Sequence, residues 1–554
     1  MIEKCSYNDG VKLLNCFPSG YSPSDAQKNV LNNIEQAFLE GHKFVIVRAP
    51  TGTGKSFISK TVANSAGQCS KEFRDLITSY LAYKQDGEYE YDCSNETEKQ
   101  PFGCFALTVT KGLQDQYKQF FDDVKVLKGK NNYLCEVDKN YSVETAPCVH
   151  IKKMKDECWR KNFCSYYRDR NEAMIGPFAT LNYKMFFSLP DHVKNREYII
   201  CDEASELEDE LVKGFTCIVD TDFLDECKVK FQTSSISTSD YAKAYRGVES
   251  LTLALQERAK EIEATIKGNE KLTNYLENEK KKMIGLKNLN NKLQLLIESW
   301  NDCEYLIEKK NGNLITFTPL KVDGLTKYLF NFGKKIVLMS ATIIDEKNFA
   351  KTLGIDKFKF IDVDSPFDAN KAPIYVNKKH KLNAYSMKTA LPGVIDMIVG
   401  ICNMHKNDKG IIHTHTLAIT NAIKAKCTGN RFLYREQGVM NDEILKLHYE
   451  TDDPTVLVSP SLTHSIDLKD DLARFQIIVK APYLPLIDKR IKMLFDQDKK
   501  WYENKMLCSL IQACGRGIRS KDDHCVTYIL DATVQNVLKN NMDILPKYFI
   551  DRFV

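Results

Sequence analysis

At 554 residues the chain exceeds the roughly 250 to 300 residues at which a single hydrophobic core stops growing, so three or four domains are expected. Its 43% apolar and 27% charged residues exclude a disordered or fibrous chain, and a net charge of +4 means that any basic groove must be local. No apolar stretch approaches the roughly 18 residues of a membrane span and the opening MIEKCSYNDG lacks a signal-peptide core, so no membrane is expected, and the 18 cysteines read as buried thiols or metal ligands in a reducing compartment.

In chain order, the apolar run from Phe44 to Val47 predicts a strand that enters a Gly-rich turn, with a helix starting near Lys55. The turn is Ala49-Pro-Thr51-Gly52-Thr53-Gly54-Lys55-Ser56, a phosphate-binding loop in the strand-to-helix setting that makes such a loop credible, with Ala49 in place of the first glycine. Its backbone N–H groups would cradle phosphates, Lys55 would neutralise them, and the Ser56 hydroxyl would ligate Mg²⁺. Further strands are expected at Phe105 to Val109, Tyr198 to Cys201 and Ile336 to Met339, each apolar enough for a parallel strand covered on both faces.

Two stretches interrupt this pattern. Residues 112–175 are cysteine-rich; Cys135, Cys148, Cys158 and Cys164 are separated by 12, 9 and 5 residues, which leaves a metal site and scattered buried thiols open on spacing alone and lacks the short knuckle of a structural zinc site. Residues 206–335 predict a mostly helical insertion, with Leu251, Leu255, Ile262 and Ile266 at helical spacing. Between the two lies Cys201-Asp202-Glu203-Ala204-Ser205 at a strand end, where Asp202 would hold Mg²⁺ and Glu203 would polarise a water for attack on a phosphate.

From residue 345 a second α/β pattern begins, with strands expected at Gly410 to His413, Thr455 to Val458, Phe475 to Val479 and Val526 to Leu530. His413 and His415 read as ordinary strand residues. Near the C-terminus Gln512-Ala-Cys-Gly515-Arg516-Gly-Ile-Arg519 places two arginines three apart on an expected helix, as fingers facing Lys55 across a cleft between the two halves.

These elements and their order resemble the XPD/DinG group of superfamily 2 helicases over nearly the whole chain. Gln27 resembles the family's adenine-reading glutamine, Thr108-Val-Thr110-Lys111-Gly-Leu-Gln114 its first strand-binding motif, and Ser340-Ala341-Thr342 the triplet that couples hydrolysis to movement. Ser365-Pro366-Phe367 and Pro482-Tyr483 fit too. Ser459-Pro-Ser461-Leu-Thr463-His464-Ser465-Ile-Asp467 resembles a motif usually read Thr-Glu-Gly-Val-Asp, and Ser205 stands where the family has His.

The resemblance implies two RecA-like motor domains, with the first assembled from residues 1–111, 176–205 and 336–344, interrupted by an iron–sulfur insertion (112–175) and an arch-like helical insertion (206–335), and the second spanning 345–554. It implies an ATP-hydrolysing DNA helicase with Lys55, Asp202, Glu203, Arg516 and Arg519 in catalysis, and with Gln27, Thr51 to Ser56, Gln512 and Asp467 around the nucleotide. It also implies a [4Fe–4S] cluster on Cys135, Cys148, Cys158 and Cys164, approached by Leu127 to Leu134 and followed by Tyr166 and Tyr167, with His150 in reserve. Lys152, Lys153, Lys155, Trp159, Arg160 and Lys161 would form a wedge at the strand junction. Single-stranded and forked or branched duplex DNA, 5′ to 3′ movement, a monomer, work in repair or replication, and a cytoplasmic, nucleoid or, in a eukaryote, nuclear location complete that expectation.

Overall fold

β1 (Phe44–Arg48), β2 (Cys104–Thr108), β3 (Lys125–Leu127), β4 (Phe178–Asn182) and β5 (Arg196–Asp202) lie in one sheet of the computed structural model. β6 (Cys217–Asp220), β7 (Tyr305–Lys310) and β8 (Leu314–Pro319) form a separate antiparallel sheet, after which β9 (Gly333–Ser340) and β10 (Phe358–Asp362) return to the first. The first sheet runs β10-β1-β9-β5-β2-β4-β3 with every neighbouring pair parallel. The structure describes residues 12–67, 101–149, 158, 164–268, 273–383, 385–434, 441–460, 468, 470–517 and 523–554.

Alternation along buried strands puts side chains on both faces of this sheet. Ile46, Phe105, Leu107 and Ile199 enter one core, and Val45, Val47, Ala106 and Ile200 the other. α1 (Asp25–Leu39), α2 (Lys55–Asn64), α3 (Lys111–Phe120) and α4 (Leu207–Phe215) belong to this domain; α4, for example, buries Leu207, Leu211 and Phe215 in the first of these cores.

Two expected boundaries shift, and one insertion holds more than helices. α3 and β3 are part of the first domain, so the cysteine-rich insertion begins after Leu127 and not at 112; β3 is a three-residue edge strand with no distinctive pattern. β10 pairs with β1, so the first domain extends through Asp362 and not 344. The stretch 206–335 holds the three-stranded sheet as well as a hairpin of α5 (Tyr241–Gly268) and α6 (Thr273–Glu298), with Cys217, Val219, Ile315 and Phe317 packing on Leu251, Leu255, Leu293 and Leu296. The two insertions touch where the Tyr141 hydroxyl donates to Glu277 Oε1 at 2.7 Å.

β11 (Ile374–Val376), β12 (Gly410–His413), β13 (Phe432–Tyr434), β14 (Val456–Ser459), β15 (Phe475–Ile478) and β16 (Val526–Ile529) form the second parallel sheet, ordered β11-β16-β15-β12-β14-β13. It carries α7 (Met387–Met404), α8 (Lys489–Gln497) and α9 (Lys499–Cys514). α7 corrects one expectation: its 18 residues are long and apolar enough to cross a membrane by length and composition. Val394, Ile398 and Ile401 of that helix are buried in the core of the second sheet.

Candidate active site

Strand order assembles the site. β1, β9 and β5 are adjacent and parallel, so their carboxyl ends bring the phosphate loop, Ser340-Ala341-Thr342 and Asp202-Glu203 to one edge of the sheet, where open α/β folds bind ligands. Ala49 N–H donates to the Ser340 carbonyl at 3.1 Å, and Thr53 Oγ1 closes the loop on the Pro50 carbonyl at 2.7 Å. The loop turns through left-handed backbone at Gly52 (φ +84°) and Gly54 (φ +78°). A Cβ at Gly52 would lie 2.1 Å from the Phe367 ring, so Ser365-Pro366-Phe367 covers the loop directly. Ala49 keeps a negative φ, which is why the loop tolerates it in place of glycine.

Gln27 abuts the loop, its amide nitrogen 3.5 Å from the Gly54 carbonyl. Its Oε1 accepts from Ser24 N–H at 2.9 Å in a capping box that starts α1, so this glutamine also has a structural task. Ser56 is half-buried in the first turn of α2.

The Lys55 ammonium stands 3.3 Å from Glu203 Oε1, with the side chains 14% and 26% exposed. Asp202 is buried; its Oδ2 accepts from the Tyr117 hydroxyl at 3.2 Å and its Oδ1 from Glu203 N–H at 3.1 Å. Burial, and then the neighbouring Glu203, push the Asp202 carboxyl up to about 6. Burial acts on Glu203 in the same direction, but Lys55, a 3.1 Å bond from Ser340 Oγ, and Arg516 outweigh it and hold Glu203 below the usual carboxylate range. The two carboxylates are thus separated electrostatically: Glu203 is kept ionised, and a divalent cation would favour the ionised form of Asp202. Glu203 itself sits at φ +51°, backbone strain that aims its side chain at Lys55 and Ser340.

Ser205, the departure from His, joins a hydroxyl cluster. Its Oγ lies 2.9 Å from Ser340 Oγ and accepts from Thr342 Oγ1 at 2.9 Å. The acidic box is therefore bonded directly to the Ser-Ala-Thr triplet.

Arg516 arrives from the second domain and is buried. Its charge is felt by Glu203, and a Cβ at Gly515 would stand 3.9 Å from Thr51 Oγ1, so the end of α9 abuts the phosphate loop. One detail differs from expectation: α9 ends at Cys514 with Gly515 as its C-cap, so Arg516 follows the helix and does not ride on it. A Cβ at Gly517 would meet Cys525 Sγ at 2.2 Å, and that close approach holds the post-helix turn in place. Gln512 is half-buried on α9. Arg519, and the stretch from Ser461 to Asp467 with His464 and Ser465, lie outside the described residues. His413 is buried at the end of β12, where burial and Arg516 push its imidazole down to about 3; His415 follows the strand and bonds the Tyr483 carbonyl at 3.0 Å.

Residues 373–549 match the family model of the helicase C-terminal domain. A Methanocaldococcus jannaschii protein described as a probable ATP-dependent helicase is 21% identical, with 92% of this chain and 91% of the relative covered. An XPD helicase structure superposes with a TM-score of 0.60 at 14% identity, covering 94% of this chain and 98% of that one. The S. tokodaii Xpd4 structure gives 0.52 at 14% identity, with 95% and 99% covered. The second domain thus carries the helicase C-terminal match, and the whole chain shares the fold of XPD helicase structures. Its two parallel sheets are RecA-like in fold, and the matched C-terminal domain is the one that carries Arg516.

The stretch from Thr108 to Gln114, which resembles a first strand-binding motif, is partly structural. Gln114 is fully buried and donates to the carbonyls of Leu127 and Thr180 at 3.2 and 3.3 Å, while Thr108 bonds the Thr110 carbonyl at 3.2 Å. Lys111 is exposed, its ammonium 2.6 Å from Asn132 Oδ1. Sequence reasoning missed Tyr117, one turn beyond Gln114, which links Asp202 to Ser59 Oγ at 2.9 Å; its apolar helical spacing marks it only as core.

Cys135, Cys148, Cys158 and Cys164 all line one cavity, together with Glu136, Val143 and Tyr167, and none is in a disulfide. Among the described residues no three His, Cys, Asp or Glu side chains converge on a single ion. Four cysteine thiols lining one cavity are a donor set that could hold an iron–sulfur cluster, each thiolate then taking a separate iron. Tyr167 backs the cavity and carries the Arg170 guanidinium 4.7 Å above its ring. His150, Lys152, Lys153, Lys155, Trp159, Arg160 and Lys161 lie outside the described residues.

Proposed function

We propose that this chain is an ATP-dependent helicase that moves 5′ to 3′ along single-stranded DNA, opens forked or branched duplexes as a monomer, and holds a [4Fe–4S] cluster on Cys135, Cys148, Cys158 and Cys164. The observation that carries the ATPase reading is Glu203 paired with Lys55 of its own domain at 3.3 Å while feeling the charge of Arg516 from the other. A γ-phosphate competes with Glu203 for the Lys55 ammonium, so nucleotide binding turns the Glu203 carboxylate toward a water in line with the phosphorus. Ser56 and Asp202 would share Mg²⁺, and Arg516 would offset charge on the transferred phosphoryl group.

Cleft closure draws the second domain onto the first, and the bond from Ser205 to Thr342 carries the state of the box into the triplet that ends β9. The choice of DNA and the polarity rest on the family resemblance, and the cluster on that resemblance together with the shared cavity. Anaerobic purification followed by iron, sulfide and strand-stimulated phosphate release on one sample tests the reading. ATP binding without strand-stimulated release would favour a nucleotide-gated binding protein, and stimulated release without strand displacement a remodelling ATPase.

A further inference from the structure

Glu208, in the first turn of α4, follows the acidic box but engages the other domain. Its Oε1 pairs with Arg490 Nη2 at 2.9 Å, and its Oε2 accepts from Trp501 Nε1 at 3.0 Å and from Lys505 Nζ at 2.9 Å. The Glu208 and Arg490 side chains are each 7% exposed. Lys505 also reaches Asp209 at 3.2 Å, and Arg490 Nε donates to the Pro319 carbonyl at 2.8 Å. Burial would push the Glu208 carboxyl up, but Lys505 and Arg490 hold it down to about 2. It is an ionised acid enclosed by donors from α8 and α9.

The same helix makes all the remaining contacts that matter here. Trp501, Lys505, Cys508 and Gln512 recur every three or four residues and so share one face of α9. Cys508 Sγ bonds the Thr342 carbonyl at 2.9 Å, and the helix ends at Cys514, two residues before Arg516. Apolar packing alone tolerates sliding, whereas a buried carboxylate satisfied by three donors has one register, which is the best-attested use of such groups. A slip of one helical turn would carry Arg516 about 5.4 Å from its place.

We propose that Glu208 is a positioning residue for ATP hydrolysis: by gripping Arg490, Trp501 and Lys505 it sets the register of α9 against the first domain and thereby places Arg516 opposite Glu203 and the phosphate loop. The inference rests on the reading of Arg516 as the residue that offsets charge on the phosphoryl group.

The test is a double-mutant cycle on the full chain. Glu208→Gln keeps the volume and the acceptor for Trp501 but removes the charge; strand-stimulated kcat should fall about tenfold with the KM for ATP within about twofold, as expected when transition-state placement alone is lost. Glu208→Asp, which keeps the charge, should recover part of the rate. In an Arg516→Ala background, followed by single-turnover hydrolysis of labelled ATP, Glu208→Gln should cost nothing further. Wild-type rates in Arg516→Ala would overturn the reading of Arg516, and the positioning role with it. A slow Arg516→Ala, combined with a Glu208→Gln that is as fast as wild type or equally costly in both backgrounds, would overturn the positioning role alone. If Glu208→Gln does not fold, Lys505→Gln, which leaves the Glu208–Arg490 pair in place, is judged by the same criteria.

Discussion

The Thr342 hydroxyl donates a 2.9 Å hydrogen bond to the hydroxyl of Ser205, joining the end of β9 to the acidic box across 137 residues of chain. Ser205 stands where relatives are expected to carry His, yet the link between the box and the triplet is present through the smaller side chain. Ser205→Ala removes two hydroxyl contacts, each worth about 1 kcal/mol. ATP binding and unstimulated hydrolysis should stay within about twofold, while stimulation by single strands should fall about five- to tenfold. An unchanged stimulation ratio in a steady-state ATPase assay would break the connection between this bond and coupling.

Lys55→Ala should abolish hydrolysis with the fold intact, because the ammonium meets Glu203 and the phosphate site and packs in no core. Glu203→Gln should retain ATP and Mg²⁺ binding through Asp202 and lose about 10² to 10⁴ in turnover. Isothermal titration beside phosphate release separates the two; collapse of ATP affinity in Glu203→Gln would reverse the roles of the two carboxylates.

Glu206, next to Ser205, gives the pH dependence. Burial, and then Asp209, push its carboxyl from the ordinary 4.5 up to about 7, with Lys505 and Lys213 opposing. Between those values the folded protein keeps a proton that the unfolded chain has released, so this group's contribution to stability falls as pH rises from about 4.5 to about 7 and then levels off. Glu206→Gln should therefore gain in melting temperature relative to wild type between pH 5 and pH 8. A difference between the two proteins that stays constant over that range would show that Glu206 titrates normally.

Cys135, Cys148, Cys158 and Cys164, each changed to Ser, should lose iron and more than about tenfold of forked-duplex unwinding while keeping much of the strand-stimulated ATPase, because serine oxygen is a poor ligand for these irons and Lys55, Asp202, Glu203 and Arg516 lie outside the insertion. Cys201 and Cys514 serve as controls, since burial raises both thiols to about 12 and neither lines the cysteine cavity. Equal iron loss in the controls, or full unwinding by an iron-free variant, would contradict the assignment.

What was legible in the sequence was what is written contiguously: the phosphate loop, the acidic box and the Ser-Ala-Thr triplet each carry their chemistry within a few residues, and parallel strands lead into all three. Tyr117 and Glu208 were not legible because their partners are distant in sequence; Trp501 and Glu208 are 293 residues apart and meet only once both domains have folded. Gln114 looked like a strand contact because it belongs to a recognisable motif, whereas its burial between β3 and β4 makes it a support for the sheet edge. β10 escaped because a five-residue edge strand after the expected domain boundary carries no local sign of which sheet it joins.

If ATP hydrolysis between Lys55, Glu203 and Arg516 drives strand separation, displacement of a labelled strand from tailed duplexes by the full chain with ATP and Mg²⁺ reports it. The strand should be released from a duplex with a 5′ single-stranded tail, not from one with only a 3′ tail, and from neither with Lys55→Ala. Failure to displace any strand while hydrolysing ATP, or equal displacement by Lys55→Ala, would contradict that coupling.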